Sequence, residues 1–244
     1  MKYIIFDLEF NQSLKSENKV QELPFEIIQI GALKLNESFE TISEFNMLIK
    51  PKVYKTVHPY VQELTKITDE MIASANGFDY MYSEFLKFIE NDDVTFVTWG
   101  TADLRELYKN IIYFNLSSEN LPKSYIDIQQ YASKYFNAPS NSRIGLRNAI
   151  DFLNIPINIG FHDAFNDAYY TSEVFKKLFT NEIEVNLYSH SPSRKQIEQK
   201  KIVDYTALIN QFEKMYDRKL TSDEIDMIKL AYVMGKTNQF LINK

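Results

Sequence analysis

Acidic side chains near the start of the chain have the type and spacing for metal-assisted chemistry. Asp7 and Glu9 follow Met1 to Phe6, an apolar run that predicts a buried strand. Because strand side chains alternate between faces, both carboxylates project from the same side. Two adjacent carboxylates at the end of an apolar strand repel each other and lose hydration, which favours a divalent cation between them. A lone Asp-x-Glu is a weak motif, and the alternative is that one carboxylate faces solvent.

Two more acids and a histidine stand where an α/β sheet builds its sites. Asp103 follows the buried run Val94 to Trp99, which places it in the first helical turn at the carboxyl end of a strand. Asp167 lies near the start of a long helix, five residues after His162. Taken alone, Asp103 is a partner for a helix dipole and His162 is an ordinary loop histidine. Their joint order after Asp-x-Glu indicates a functional set.

In this order, the motifs resemble the DEDDh family of 3′ to 5′ exonucleases. That family includes proofreading exonuclease subunits, ribonuclease T, oligoribonuclease and the histone-mRNA trimming exonucleases. The resemblance covers about Lys2 to Leu178, and its three main motifs are Phe6-Asp7-Leu8-Glu9, Thr98-Trp99-Gly100-Thr101-Ala102-Asp103 and His162-Asp163-Ala164-Phe165-Asn166-Asp167-Ala168. Secondary matches are Glu26 to Gly31, Glu63 to Thr68, and Asp127-Ile128.

The resemblance implies a site and a fold. Asp7, Glu9, Asp103 and Asp167 would hold two Mg²⁺ or Mn²⁺ ions. Two ions about 3.5–4 Å apart activate a water and stabilise the leaving 3′ oxygen. His162 would be the general base, since an imidazole can take the water's proton near neutral pH. The implied fold is a ribonuclease H-like α/β fold, with a mixed five-stranded sheet and helices on both faces.

The resemblance also suggests substrate contacts. Phe10 and Asn11 follow the first motif at a position that meets the terminal nucleotide in the family, and His162 faces the same substrate. Leu64 matches an apolar residue that wedges against the last base, a contact indifferent to base identity. The alternative for Leu64 is core packing. Lys66 departs from the family pattern, which usually has glycine at this position. The departure affects the expected backbone geometry and substrate contact there but leaves the metal site unchanged.

The predicted elements place these residues around one sheet. Strands are predicted at Ile27 to Leu35, Thr41 to Ile49, Val94 to Trp99 and Ser124 to Ile128, and helices at Met71–Ala75, Tyr80–Ile89, Gln129–Phe136, Gly145–Leu153 and Ala164–Phe179, with another that starts at Thr101. A three-strand meander followed by strands alternating with helices predicts a mixed sheet.

Composition narrows the class of protein. The chain has 244 residues, a formal charge of −6 and 45% hydrophobic residues, which is typical of a globular protein. No apolar run approaches the roughly 20 residues of a membrane helix, and Asp7 and Glu9 interrupt any signal-peptide pattern. The absence of cysteine excludes disulfides and thiolate chemistry, and we expect a cytoplasmic protein with no membrane partner. The negative charge argues against a polycation that coats nucleic acid, but not against an enzyme whose acids hold metal ions.

The charge changes sign along the chain, which predicts two domains. After residue 191 there are ten Lys and Arg against seven Asp and Glu, whereas the rest of the chain is strongly acidic. We predict an exonuclease domain at 1–182 and a helical extension at 190–244, a tail that the family pattern does not explain. Its two helices are predicted at Arg194–Tyr216 and Ser222–Met234. They could bind a protein partner, form a homodimer or cap the catalytic domain.

The leading interpretation is a metal-dependent 3′ to 5′ exonuclease that converts single-stranded RNA or DNA to nucleoside 5′-monophosphates. A catalytically silent exonuclease-like module, used for binding or scaffolding, is a second interpretation. A ribonuclease H-like endonuclease is a third, although the spacing of His162 and Asp167 favours an exonuclease. A proofreading role would require a polymerase partner. The choice between RNA and DNA stays open, because it depends on contacts to the 2′-hydroxyl.

Overall fold

The computed structural model describes residues 1–14, 16, 19–90, 93–139, 142–180, 182–189 and 204–236. It divides into one compact unit, Met1–His190, and a second, Ser191–Lys244. The strands are β1 (Lys2–Asn11), β2 (Glu26–Leu35), β3 (Thr41–Leu48), β4 (Val94–Thr98), β5 (Ser124–Asp127) and β6 (Asn186–Leu187). The helices are α1 (Pro59–Thr65), α2 (Asp69–Ala73), α3 (Phe78–Ile89), α4 (Ala102–Tyr113), α5 (Ile128–Tyr135), α6 (Leu146–Phe152), α7 (Ala164–Leu178), α8 (Tyr205–Tyr216) and α9 (Ser222–Lys236).

The first unit is built on one mixed sheet with the strand order β3-β2-β1-β4-β5-β6. The first three strands form an antiparallel meander, and β4 and β5 then add parallel to β1. This arrangement confirms the predicted fold class. A sixth strand, β6, adds two residues antiparallel to β5 and was not predicted from the sequence. Two residues are too few to produce a recognisable hydrophobic alternation.

Hydrophobic cores lie on both faces of the sheet, and β1 contributes to each. Its even-numbered residues Ile4 and Phe6 belong to the core that α3 and α4 cover. Its odd-numbered residues Tyr3 and Ile5 belong to the core that α5, α6 and α7 cover. Because strand side chains alternate, Asp7 and Glu9 continue the odd-numbered row, on the face of α7.

β1 is longer than predicted. It extends to Asn11, which pairs with Glu26 of β2, and a β-bulge lies between Glu9 and Phe10. The parallel partner β4 pairs only with Lys2 to Ile5. The acidic pair therefore lies within β1, beyond the end of its pairing with β4, instead of after the strand.

The helix α1 was not predicted, because its start carries no polar N-cap residue of the common kind. His58 provides the cap instead, its Nδ1 accepting a hydrogen bond from the Tyr60 amide at 3.2 Å, and Pro59 occupies the first turn. At the other end Lys66 adopts a left-handed backbone with φ of 63°. Glycine adopts that conformation without the steric cost of a Cβ atom.

The N-terminus of α7 packs directly against the backbone of β2 at Gly31. A Cβ atom on this glycine would overlap the backbone of Ala164 and Phe165. Close contact of helix and strand at this point sets the height of the first turn of α7 above the sheet. The residues that flank this turn, His162 and Asp167, depend on it for their position.

We expect Gly31→Ala to lower the free energy of unfolding by about 2–3 kcal/mol, because backbone atoms cannot yield as a flexible side chain does. Chemical denaturation of the full chain measures this loss. Gly145→Ala is the matched control, since nothing lies within 4 Å of the added methyl group there. Equal stability of the two variants would contradict the packing argument.

The second unit contains α8 and α9. Thr221 and Glu224 form a capping box at the start of α9: the Thr221 amide donates to Glu224 Oε2 at 2.8 Å, and the Glu224 amide donates to Thr221 Oγ1 at 3.4 Å. The helix α9 extends to Lys236, two residues past its predicted end at Met234. The predicted start of the preceding helix, 194–203, lies outside the described residues. Within the described part of the chain, no helix has the length and apolar character to span a bilayer.

Candidate active site

Three carboxylates meet where β1 passes the first turn of α7. Asp7, Glu9 and Asp167 each present an oxygen atom, and these three atoms lie within 4.8 Å of one another. Asp167 accepts a hydrogen bond from the His162 amide through Oδ2, at 3.2 Å. Its other oxygen, Oδ1, is buried and has no hydrogen-bond partner among the described residues. A converging set of carboxylate oxygens with one buried and unpaired fits a hard divalent cation.

Asp103 lies near this group but not within it. It occupies the first turn of α4, where it is 7% exposed, and it follows β4 through Gly100, whose φ is +85°. Its charge contributes to the raised pKa values of Asp7 and Glu9. The structure therefore brings three of the four predicted acids into one tight cluster, with the fourth close enough to interact electrostatically.

Burial and mutual repulsion raise the pKa of every acid in the site. Burial is the larger cause for Glu9, and the charges of Asp167 and Asp103 add to it, which raises its pKa to about 8. Burial also raises the pKa of Asp103 to about 7 and that of Asp167 to about 6. The pKa of Asp7 lies well above its ordinary value, from burial first and then from its three acidic neighbours. The site thus disfavours its own ionisation unless positive charge is supplied.

These pKa shifts predict how stability depends on pH in the presence of a chelator. The pKa of each acid in the folded protein lies above its value of about 4 in the unfolded chain. Each acid therefore contributes its full stabilisation of the folded state below about pH 4 and loses it as the pH rises through the folded-state pKa. We expect the free energy of unfolding to fall by about 2–4 kcal/mol between about pH 4 and about pH 8. Denaturation at several pH values measures it. Glu9→Gln should flatten the dependence, and an unchanged slope would contradict the assignment.

His162 is held next to Asp167 by its own backbone. It adopts a left-handed conformation with φ of 66°, and its side chain is exposed. The charge of His162 lowers the pKa of Asp167, which places the imidazole within electrostatic reach of the acids. His162, Asp167 and Leu64 line the same cleft. The predicted pair of His162 and Asp167 therefore shares one cleft.

A buried network positions this turn, and no role for its residues was predicted from the sequence. Gln29 of β2 accepts from the Ala164 amide at 3.2 Å and donates to Asp163 Oδ2 at 2.8 Å. Asp163 caps α7, its Oδ1 accepting from the amides of Phe165 and Asn166. The N-cap rule could have identified Asp163, which directly precedes a helix. Gln29 lies within the secondary match Glu26 to Gly31, but no local pattern predicts this role, because its two partners at α7 lie more than 130 positions away in the chain.

The expected substrate contacts occupy different environments. Leu64 is 37% exposed and lines the cleft, so it is available to a ligand. Phe10 is partly buried, with its ring 6.2 Å from that of Phe25. Asn11 differs from the expectation, because its side chain is fully buried. It donates to the carbonyls of Tyr54 and Thr56 and accepts from the His58 amide, so it holds the segment before α1.

A sheet of this order, with acids on its central strand and at the start of two helices, defines a ribonuclease H-like exonuclease fold. A family model described as RNase_T exonuclease matches residues 4–175. The chain belongs to this exonuclease family. The predicted resemblance to the DEDDh exonucleases is thereby confirmed.

Solved structures support the fold. The nuclease domain of 3′hExo, a DEDDh family member bound to rAMP, has 17% identity and a TM-score of 0.65, covering 77% of this chain and 96% of that domain. Cell-death related nuclease 4 (CRN-4) has 19% identity and a TM-score of 0.63, covering 76% of this chain and 66% of that one. The zinc-bound E. coli ExoI–ssDNA complex has 15% identity and a TM-score of 0.56, covering 72% of this chain and 40% of that one.

Curated relatives include much longer proteins. The DNA polymerase III PolC-type of Clostridium perfringens is 27% identical over 179 residues, which is 73% of this chain and 11% of that protein. Its counterpart from Thermotoga petrophila is 27% identical over 185 residues, 75% of this chain and 12% of that protein. The chain thus spans about a tenth of the length of these relatives.

Proposed function

We propose that this chain is a metal-dependent 3′ to 5′ exonuclease that hydrolyses single-stranded nucleic acid, RNA or DNA, to nucleoside 5′-monophosphates. The observation that carries the proposal is the cluster of Asp7, Glu9 and Asp167, with a buried unpaired oxygen beside His162. Membership of the exonuclease family supports the reaction class. Similar folds occur in proteins bound to rAMP and to single-stranded DNA, which supports a nucleic-acid substrate.

In this proposal Asp7, Glu9, Asp103 and Asp167 hold two divalent cations, Mg²⁺ or Mn²⁺. When bound, the cations supply a water nucleophile at neutral pH and stabilise charge on the leaving 3′ oxygen. Oxygen donors alone suit these hard ions better than softer metals. The raised pKa values of the acids favour cation binding, because a bound cation reduces the repulsion among the carboxylates.

The other side chains bind substrate and move a proton. His162 accepts the proton of the attacking water, from an exposed position next to Asp167. Leu64 packs against the terminal base, and Phe10 lies beside the acids on β1. Neither apolar contact distinguishes one base from another.

The test uses the full chain with single-stranded RNA and DNA labelled at the 5′ end. We expect a ladder that shortens from the 3′ end, depends on Mg²⁺ or Mn²⁺ and stops with a chelator. A 3′-phosphate should stall the enzyme, whereas an endonuclease would cut regardless. Cleavage at internal positions of the blocked strand would contradict the proposal, and so would no cleavage of either nucleic acid, the result expected of a silent module.

A second candidate is a proofreading exonuclease that acts with a DNA polymerase. The similarity to two PolC-type polymerases over about three quarters of this chain favours it. This function requires DNA as substrate and faster removal of a mispaired than a paired 3′ terminus. Equal rates on the two termini would exclude it.

We further propose that residues 1–182 are the catalytic domain of a cytoplasmic protein and that 190–244 form an extension for a protein partner or a second copy. None of the residues of α8 is buried, and Met215, Tyr216 and Met227 expose large apolar side chains. Helices with such surfaces usually gain stability by packing against another surface. The molar mass of the full chain in solution tests whether the partner is a second copy.

A further inference from the structure

The cleft beside the acids continues over an apolar surface. It has a volume of about 630 Å³ and runs from His162 and Asp167 past Leu64. Its other apolar lining residues are Leu146, Ile157, Ile159 and Phe161. Ile157 is 45% exposed and Ile159 is 37% exposed, so the surface is open to a ligand. Large apolar side chains exposed around one cleft are typical of a binding surface.

Two cationic side chains, Lys66 and Arg147, line the same cleft. Lys66 Nζ donates to the Glu63 carbonyl at 2.7 Å, which uses one of its three donors and holds the ammonium group at the end of α1. The guanidinium of Arg147 lies over the Phe161 ring, 5.6 Å from its centre. No carboxylate of the described chain forms an ion pair with either residue, whereas Lys52, Lys109 and Arg143 each have one.

The backbone gives no reason for a lysine at position 66. Its left-handed φ of 63° costs a non-glycine residue about 1 kcal/mol or more relative to glycine. The backbone conformation therefore does not account for the lysine, whose side chain lines the cleft. A positive charge there, in a chain with a net charge of −6, is suited to an anionic ligand.

We propose that Lys66 and Arg147 bind the phosphodiester backbone of the substrate strand and hold it in this cleft. The apolar lining then contacts the bases, and the two cations contact the phosphates, a combination that suits an unpaired strand of any sequence. This inference rests on the proposed nuclease function. It goes beyond the predicted site residues, which included neither cation.

The test measures binding separately from hydrolysis. A fluorescent single-stranded oligonucleotide is titrated with the full chain in a chelator, and the salt dependence of its affinity is recorded. The slope of log K against log salt is negative, and each lost phosphate contact lowers its magnitude by about 0.7 for a single strand. We expect Lys66→Gly and Arg147→Gln each to weaken binding about threefold to fivefold at low salt and to reduce the slope by that amount. In the double variant the magnitude of this slope should fall by about twice as much.

The choice of glycine at position 66 and two control variants separate charge from folding. Lys66→Gly removes backbone strain, so weaker binding by this variant does not arise from misfolding. Lys66→Arg keeps the charge and should retain the wild-type slope. Lys177→Gln removes a lysine at the far end of α7, about 15 Å along the helix from Asp167, and should leave the slope unchanged.

The outcomes for the inference and the nuclease proposal are distinct. If the wild type binds the strand and Lys66→Gly and Arg147→Gln keep its slope, the inference is wrong, whatever the nuclease assay shows. No binding by the wild type overturns it as well. If the salt dependence of binding is weaker in both variants but the wild type hydrolyses nothing with Mg²⁺ or Mn²⁺, the strand-binding assignment stands and the proposed function fails. If hydrolysis does occur, the variants should raise KM and leave kcat unchanged.

Discussion

Replacing Asp7 with asparagine is expected to abolish hydrolysis and, in a chelator, to make the protein more stable. Asparagine keeps the size of the side chain but removes a charge that burial and three acidic neighbours disfavour. We expect the free energy of unfolding to rise by about 1–3 kcal/mol at neutral pH. Activity should fall by about 10³-fold or more, because a bound cation contributes several kcal/mol to the transition state.

The opposite signs of these effects distinguish a metal-binding role from a structural one. Mg²⁺ or Mn²⁺ should raise the melting temperature of the wild type but not that of Asp7→Asn. Asp79→Asn is the matched control. That carboxylate forms an exposed ion pair with Lys52, 3.1 Å long, and its pKa is lowered by this partner. Its loss should leave activity and the cation effect unchanged. An Asp7→Asn variant that is destabilised and still responds to cations would show that Asp7 has only a structural role.

The acids on β1 could be predicted from sequence, because the property that places them is local. Side chains alternate between the two faces of a strand, so Asp7 and Glu9 lie on one face independently of the rest of the fold. The odd-numbered row of β1 then leads from the apolar Tyr3 and Ile5 to the acids. Asp167 was also predictable, since its position in the first turn of a long helix follows from local periodicity.

What could not be predicted depends on contacts between distant parts of the chain. Asn11 looks like a substrate residue from its place after the motif, yet it binds carbonyls more than 40 positions away and is buried. Gln29 positions the start of α7 through a hydrogen bond to Ala164, 135 positions away in the chain. The length of β1 likewise depends on its pairing with β2 and not on its own composition. Tertiary packing decides each of these, and no short pattern encodes it.

His162 gives the second large expected effect, a loss of activity without a loss of cation binding. The hydrogen bond that it makes to Asp167 comes from its backbone amide, so it survives a change of side chain. Asparagine is the best replacement, because it tolerates the left-handed φ of 66° better than most residues. We expect His162→Asn to lower kcat by about 10²–10⁴-fold, the usual contribution of a general base.

The measurement pairs kinetics with thermal denaturation. His162→Asn should keep the wild-type rise in melting temperature with Mg²⁺ or Mn²⁺, since the oxygen atoms of Asp7, Glu9 and Asp167 stay in place. His162→Ala, assayed with added imidazole, should regain part of its activity, because the free base can accept the water's proton in the space left behind. His58→Asn is the control histidine, as its ring caps α1 through Nδ1. Full turnover by His162→Asn at neutral pH would show that another group accepts the proton.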